Sequence, residues 1–199
     1  LMGIGVFIIE IICCAFAGSE FVANYAGTTH MVVWALMQGF IFSAGVSVIL
    51  LGVRMILAEL VPAFKGIAER IVPNAIPALD CPTVFTFAPN AIMVGFIGYT
   101  IGQFIAFGIC LATGMTVIIP TLLHSFFMGG TAAIFANATG GRRGAVIGSL
   151  LTGVLNNMLC SLLFPAFAAL GFAGTTFADT DFSIIGLIFY GIAHLLGVA

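Results

Sequence analysis

Charge is what this sequence has least of. Seven acidic and five basic residues are spread over 199 positions, 6% of the chain against 62% hydrophobic residues, where an average soluble domain is about one-quarter charged. Twelve charges cannot supply the polar shell that a water-facing domain of this length needs. A formal net charge of −2 adds nothing about partners, and no basic patch interleaved with aromatics points to nucleic acid, so no nucleic-acid partner is expected. The first apolar run opens at Leu1 without the charged n-region and small-residue cleavage site of a signal peptide. The last run, Ser183 to Ala199, is apolar to its end. Both ends therefore read as cuts through a longer protein. Cys13, Cys14, Cys81, Cys110 and Cys160 form no C-x-x-C pair, and no histidine stands at zinc-ligand spacing. They are expected to be inert buried thiols, with no metal and no cofactor.

What the chain has in abundance is apolar sequence of membrane-spanning length. A bilayer core about 30 Å thick needs about 20 apolar residues as helix. Three stretches satisfy this: His30 to Leu57, Ala91 to Ala112 and Ala145 to Leu170. Leu1–Ala17 and Ser183–Ala199 are long enough if residues beyond the sequence complete them. A sixth, Thr116 to Asn137, contains Pro120, His124 and Gly129-Gly130. It is either a kinked span or a short hairpin inside the membrane. The expected fold class is an all-α, polytopic integral membrane bundle. Gly98, Gly102 and Gly108 on one stretch, and Gly144 and Gly148 on another, read as close-packing faces, and Gln103 and Asn156-Asn157 as interhelical hydrogen-bonding amides.

Positive charge is confined to two places, Arg54 to Arg70 and Arg142-Arg143. In Ala58–Val72, Leu60, Phe64, Ile67 and Ile71 recur at helical spacing while Glu59, Lys65, Glu69 and Arg70 lie on other faces. This predicts an amphipathic helix on the membrane surface. Lys/Arg excess marks cytoplasmic loops, so both clusters belong inside, and the remaining loops, with Glu20, Asp179 and Asp181 but no Lys or Arg, outside. Single cysteines replacing Lys65 and Arg143 are accordingly expected to resist an impermeant maleimide in intact cells and to react after permeabilisation. Labelling of the two from opposite sides would overturn the arrangement.

Between these elements runs Val72-Pro-Asn-Ala-Ile-Pro-Ala-Leu-Asp-Cys-Pro-Thr-Val-Phe-Thr-Phe-Ala-Pro-Asn90. Prolines 73, 77, 82 and 89 exclude one straight helix, yet the flanks are apolar and Asp80 is the single charge. Irregular backbone at membrane depth is tolerated where protein buries it or a watery cavity borders it, and transporters present such broken segments to their substrates. The segment reads as a re-entrant hairpin with Asp80 near its tip, or as a loop packed at the cytoplasmic face. An intramembrane carboxylate is costly and marks a binding or ion-pathway site. Asp80, with Thr83, Thr86 and Asn90 nearby, suits a polyhydroxy ligand; it equally suits the cap of a half-helix starting near Thr83. Glu10 and His124 are lesser candidates, the first facing a bundle interior, the second lining a cavity.

Gly52-Val-Arg-Met-Ile-Leu-Ala-Glu-Leu60, Ala63-Phe-Lys-Gly-Ile-Ala-Glu-Arg-Ile-Val-Pro73, Ala78-Leu-Asp-Cys81, Phe87-Ala-Pro-Asn-Ala91, Gly95-Phe96 and Ile101-Gly-Gln103 follow one another in order. With Ile118-Ile-Pro120 and Ile134-Phe-Ala-Asn137 to Gly141, this series resembles the membrane component, enzyme IIC, of the ascorbate-type phosphotransferase system (PTS), over Leu1 to Leu170. The galactitol-type enzyme IIC is a more distant likeness. The resemblance implies a homodimeric bacterial inner-membrane permease of about eleven spans, built from two inverted repeats, of which this chain is the C-terminal one. Residues 1–57 would be two spans of the dimerising scaffold, 58–72 the amphipathic connector, and 73–199 half of the substrate-binding core, with the re-entrant segment at 73–90. By the same resemblance Asp80 contacts L-ascorbate, with Cys81 and Pro82 beside it. The family's other sugar contacts come from the first repeat.

The resemblance further implies IIA and IIB partners, the IIB phosphocysteine phosphorylating the solute on the cytoplasmic side. No cysteine here has the exposed, electropositive setting that would activate it, so no catalytic residue is expected in this chain. Two rival readings are an ion-coupled carrier or channel, in which Asp80 or Glu10 titrates or binds a cation, and a membrane anchor, which binds no solute.

Overall fold

The computed structural model describes residues 2–73, 81–85, 87–172, 174–176 and 179–197, and among these every regular element is helical. Two compact units divide the chain, Leu1–Thr86 and Phe87–Ala199.

In the first unit, α1 (Met2–Ala17) packs on α3 (Met31–Arg70), with the short α2 (Ser19–Ala26) between them in sequence. A Cβ at Gly39 would run into the Gly3 carbonyl and the Phe7 backbone nitrogen. Small residues at this crossing let the two backbones touch, the usual basis of helix association where apolar burial gives no drive. His30 opens α3 by accepting the Val32 N–H on Nδ1 at 3.3 Å. From there the helix runs through 40 residues, about 60 Å. The apolar stretch 31–57 and the amphipathic stretch 58–70 are thus one continuous helix, with Pro62 in its interior. Val48, Leu51, Met55 and Ile56 are exposed on it, and such a surface is stable only against lipid or other protein.

The second unit is organised by α5 (Pro89–Thr113) and α7 (Gly130–Ala169). α7 is preceded without interruption by α6 (Leu122–His124) and a π-helical stretch, Ser125–Gly129, so that helical backbone runs for 48 residues. A straight helix of that length would measure about 72 Å, more than twice the bilayer core. It is not straight. Gly141 adopts φ 61°, ψ −155°, a backbone that only glycine enters without strain, and there the chain folds back. Gly144 and Gly148 lie against Ala136 across the turn. The result is a hairpin of two arms, 122–140 and 142–169, which makes Thr116–Asn137 a span that begins at Leu122, with the following span separate.

α5 fills the groove of this hairpin. Gly95 faces Gly129 and Ala133, Gly98 faces Ser149, and Gly102 faces the Leu150 carbonyl and Val154. Along α5 the contact therefore descends the first arm and ascends the second: α5 is antiparallel to 122–140 and parallel to 142–169. Gly98, Gly102, Gly144 and Gly148 are close-packing positions as expected. Gly108 is not, having no atom within 4 Å of its would-be Cβ; it is exposed, on a side of α5 away from the buried Ala106 and Cys110. Finally α8 (Thr180–Leu195) packs on the second arm, with Cys160 beside Ser183 and Leu163 beside Gly186. Both residue numbers rise together, so α8 runs parallel to the arm that precedes it.

Candidate functional site

The helix register puts two helix starts half-way along the second unit. α5 ends at Thr113, and Gly114 stops it in the left-handed conformation, φ 70°. Residues 115–121 are then non-helical, and helix resumes at Leu122. Ser125 already pairs with Gln103, ten residues, or about 15 Å, short of the end of α5. The seven residues 115–121 retrace that distance, well within the roughly 23 Å reach of an extended strand. The second start is α8. Its first residue, Thr180, bonds to Asn156, near the middle of the arm 142–169.

A backbone that is neither helix nor sheet must find other partners for its carbonyls. Side chains supply them. Asn157 Nδ2 donates to Ile118 O at 3.3 Å and to Gln103 O at 3.1 Å, Ser161 Oγ donates to Thr116 O, and Ser125 Oγ lies 2.8 Å from Thr121 O and 2.9 Å from Gln103 Oε1. Asn157, Ser161, Ser125 and Gln103 are all buried. An unmet buried polar group costs about 1–3 kcal/mol, so this set is what allows residues 115–121 to lie against the bundle. Gln103 and Asn157 thus make the interhelical bonds expected of them, and they hold a helix break.

Around the second start, Thr180 Oγ1 donates to Asn156 Oδ1 at 2.8 Å and Asn156 Nδ2 lies 3.2 Å from His124 Nε2. The Asn156 amide nitrogen can only donate and its oxygen is engaged by Thr180, so His124 Nε2 accepts and the ring proton resides on Nδ1. That nitrogen faces Asp179 Oδ1 at 3.8 Å, too long for a direct hydrogen bond. The buried Tyr99 ring meets the imidazole edge-on, centroids 5.7 Å apart. His124, Asn156, Asp179 and Thr180 therefore form one polar junction between the two helix starts. Its chemistry is hydrogen bonding and a single imidazole; no cluster of three or more metal-ligating side chains occurs among the described residues.

Of the residues singled out in the sequence, Asp80 lies outside the described residues, as do 74–79 and Thr86, and with them the part of the expected re-entrant segment 73–90 that holds its tip. Cys81, partly buried, begins the one-turn helix α4 (Cys81–Val84). Pro82 is in the same turn, its side chain outside the described set. Thr83 and Phe85 are buried beside them. Glu10 borders a cavity of about 260 Å³ in the first unit with Cys13, Cys14, Tyr25 and Trp34. All five cysteines are free.

Sequence reading missed Asp179 and Thr180 as partners of His124 and Asn156. Asn156 and Thr180 are 24 positions apart and His124 and Asn156 are 32 apart, and nothing in local pattern pairs them. The signal that was present is polarity out of place: Asn156-Asn157 and His124-Ser125 each interrupt an apolar run.

The sequence profile of the EIIC-GAT family, the PTS system sugar-specific permease component, matches residues 1–181. The chain belongs to this family. Such an EIIC-GAT permease chain is a multi-pass membrane protein, in keeping with the three helices among the described residues that are long and apolar enough to cross a bilayer. It is similar to the protein from Mycoplasma pneumoniae described as "Ascorbate-specific PTS system EIIC component", 33% identical over 156 residues, covering 74% of this chain and 21% of that protein. The chain thus spans about a fifth of its relative's length.

Proposed function

We propose that this chain is the C-terminal part of the membrane-spanning permease of a phosphoenolpyruvate-dependent PTS that imports L-ascorbate and presents it for phosphorylation. The observation carrying the transport reading is the pair of helix starts, Leu122 and Thr180, half-way along the second unit. Discontinuous helices of this kind are how transporters bring polar groups to the membrane interior. An anchor has no need of them. L-Ascorbate as the solute rests on the name of the Mycoplasma pneumoniae relative.

Within this reading, residues 73–199 form half of a substrate-binding core, with a re-entrant segment at 73–90 that brings Asp80, Cys81 and Pro82 to the solute. Residues 1–57 form scaffold spans through which two protomers associate, and the exposed apolar face of α3 supports a surface of that kind. The stretch 58–72 connects scaffold to core. The chain acts as one half of an inverted repeat, in a bacterial inner membrane, with IIA and IIB components delivering the phosphoryl group from outside this chain.

Uptake of radiolabelled L-ascorbate by cells expressing the full-length protein with its IIA and IIB partners is expected to depend on phosphoenolpyruvate, with the label recovered as a phosphate ester. Uptake that persists without phosphoenolpyruvate and collapses with the ion gradient would instead establish an ion-coupled carrier. Displacement by galactitol and not by unlabelled ascorbate would move the substrate to the galactitol type.

A further inference from the structure

Two of the sequence motifs, Phe87-Ala-Pro-Asn-Ala91 and Ile134-Phe-Ala-Asn137, have no part in the polar junction or the helix break. They converge elsewhere. Phe87 to Ala91, at the start of α5, and Asn137, near the end of the first hairpin arm, line one open cavity of about 730 Å³ together with Val94, Arg142, Ala145 and Val146. Its polar side chains are Asn90, Asn137 and Arg142. No carboxylate borders it, and none of these three side chains has a hydrogen-bond or ion-pair partner among the described residues. Arg142 is placed there by the Gly141 turn, which starts the second arm beside the beginning of α5. Arg143, its neighbour, does not line the cavity.

We propose that Asn90, Asn137 and Arg142 form a binding site for a phosphate monoester, and that its occupant is the phosphate group of the newly phosphorylated solute at the inner mouth of the permease. The second clause rests on the PTS reading above. A guanidinium offers five donors in a fixed fork matched to phosphate oxygens, and two carboxamides add up to four more. The first turn of α5 presents a helix end of the favourable sign. L-Ascorbate carries one enolate charge delocalised over its ring, whereas phosphorylation adds a compact dianion whose oxygens match the guanidinium fork, so the product gains a charge-assisted contact stronger than any the unphosphorylated solute can make. Arg142 belongs to one of the two positive clusters that mark the cytoplasmic side, where a phosphorylated product must leave.

The experiment uses the full-length protein in phosphatidylcholine nanodiscs, with inorganic phosphate as the probe followed by phosphorus NMR. Saturable binding is expected for the wild type and for Arg143→Gln, with at least tenfold weaker binding for Arg142→Gln, the loss expected for one charge-assisted contact. Asn137→Ala is expected to weaken binding severalfold, and reports on the cavity should Arg142→Gln fail to fold. Equal losses for Arg142→Gln and Arg143→Gln would reduce the effect to surface charge and overturn the site. So would the absence of saturable binding to wild type. If nanodiscs containing phosphatidylglycerol abolish phosphate binding, the cavity holds a lipid headgroup and its assignment to the product falls. Labelled L-ascorbate titrated in parallel separates the two proposals: ascorbate binding without phosphate binding leaves the PTS reading standing and removes the pocket, and the reverse removes the substrate assignment alone.

Discussion

Asp80→Asn in the full-length protein is expected to weaken L-ascorbate binding at least tenfold while leaving folding and dimer formation unchanged. A carboxylate retained in an apolar, proline-broken segment has to be offset by partners, because its desolvation is otherwise prohibitive. Asn keeps the volume and one acceptor but removes the charge. A charge-assisted hydrogen bond to a ligand hydroxyl is about twice as strong as a neutral one, and losing it costs about 1.5–3 kcal/mol, a factor of ten or more in affinity. Asp80 immediately precedes α4, so capping that single turn is the competing role. The substitution discriminates because Asn and Asp are comparable caps. Titration of labelled ascorbate against purified wild type and variant gives the answer: unchanged affinity in a folded variant would take Asp80 out of the site and leave it as a cap.

Gly95→Val is expected to be the most disruptive single change in the second unit. A Cβ at Gly95 would meet the Gly129 carbonyl group and the Ala133 methyl, and Gly129 in turn stands against the Gly95 carbonyl and Tyr99. These are backbone contacts on both sides, so no rotamer change relieves them and α5 must move away from the hairpin. Overpacking typically costs about 1–3 kcal/mol, and more where backbone must shift. Separation would also stretch the Gln103–Ser125 and Asn157–Gln103 bonds, which depend on the same approach. The control is Gly108→Val on the same helix, where nothing lies within 4 Å. Thermal unfolding followed by size-exclusion fluorescence is expected to show Gly95→Val unfolded or lowered by several degrees, with Gly108→Val near wild type. Similar midpoints for the two would mean that α5 does not seat on the hairpin in this register.

Much of this architecture is written in the order of residue types. The near absence of charge excludes water as the solvent for most of the surface, and the length of the apolar runs follows from bilayer thickness, so the apolar stretches His30–Leu57, Ala91–Ala112 and Ala145–Leu170 could be read as helical from composition. Breaks are equally local: Gly114 ends α5 in the left-handed conformation, and the Gly140-Gly141 pair allows a turn that a side chain would strain. The family was legible because its motifs recur in a fixed order along the chain.

The partners of the polar residues were not legible. Asn157 could be read as an interhelical donor, yet its acceptors are backbone carbonyls of Gln103 and Ile118, 54 and 39 positions away, chosen by how far residues 115–121 travel back along the bundle. The same holds for the junction of His124, Asn156, Asp179 and Thr180, and for the meeting of Asn90, Asn137 and Arg142 around one cavity. Helix formation depends on neighbours within a turn, which a sequence displays directly. Which faces then meet, and at what register, is decided by the fit of Gly95, Gly98, Gly102, Gly129 and Gly153 between opposing backbones. Because glycine has no side chain to pattern, that fit leaves almost no trace in hydrophobic periodicity, and only the packed tertiary structure fixes it.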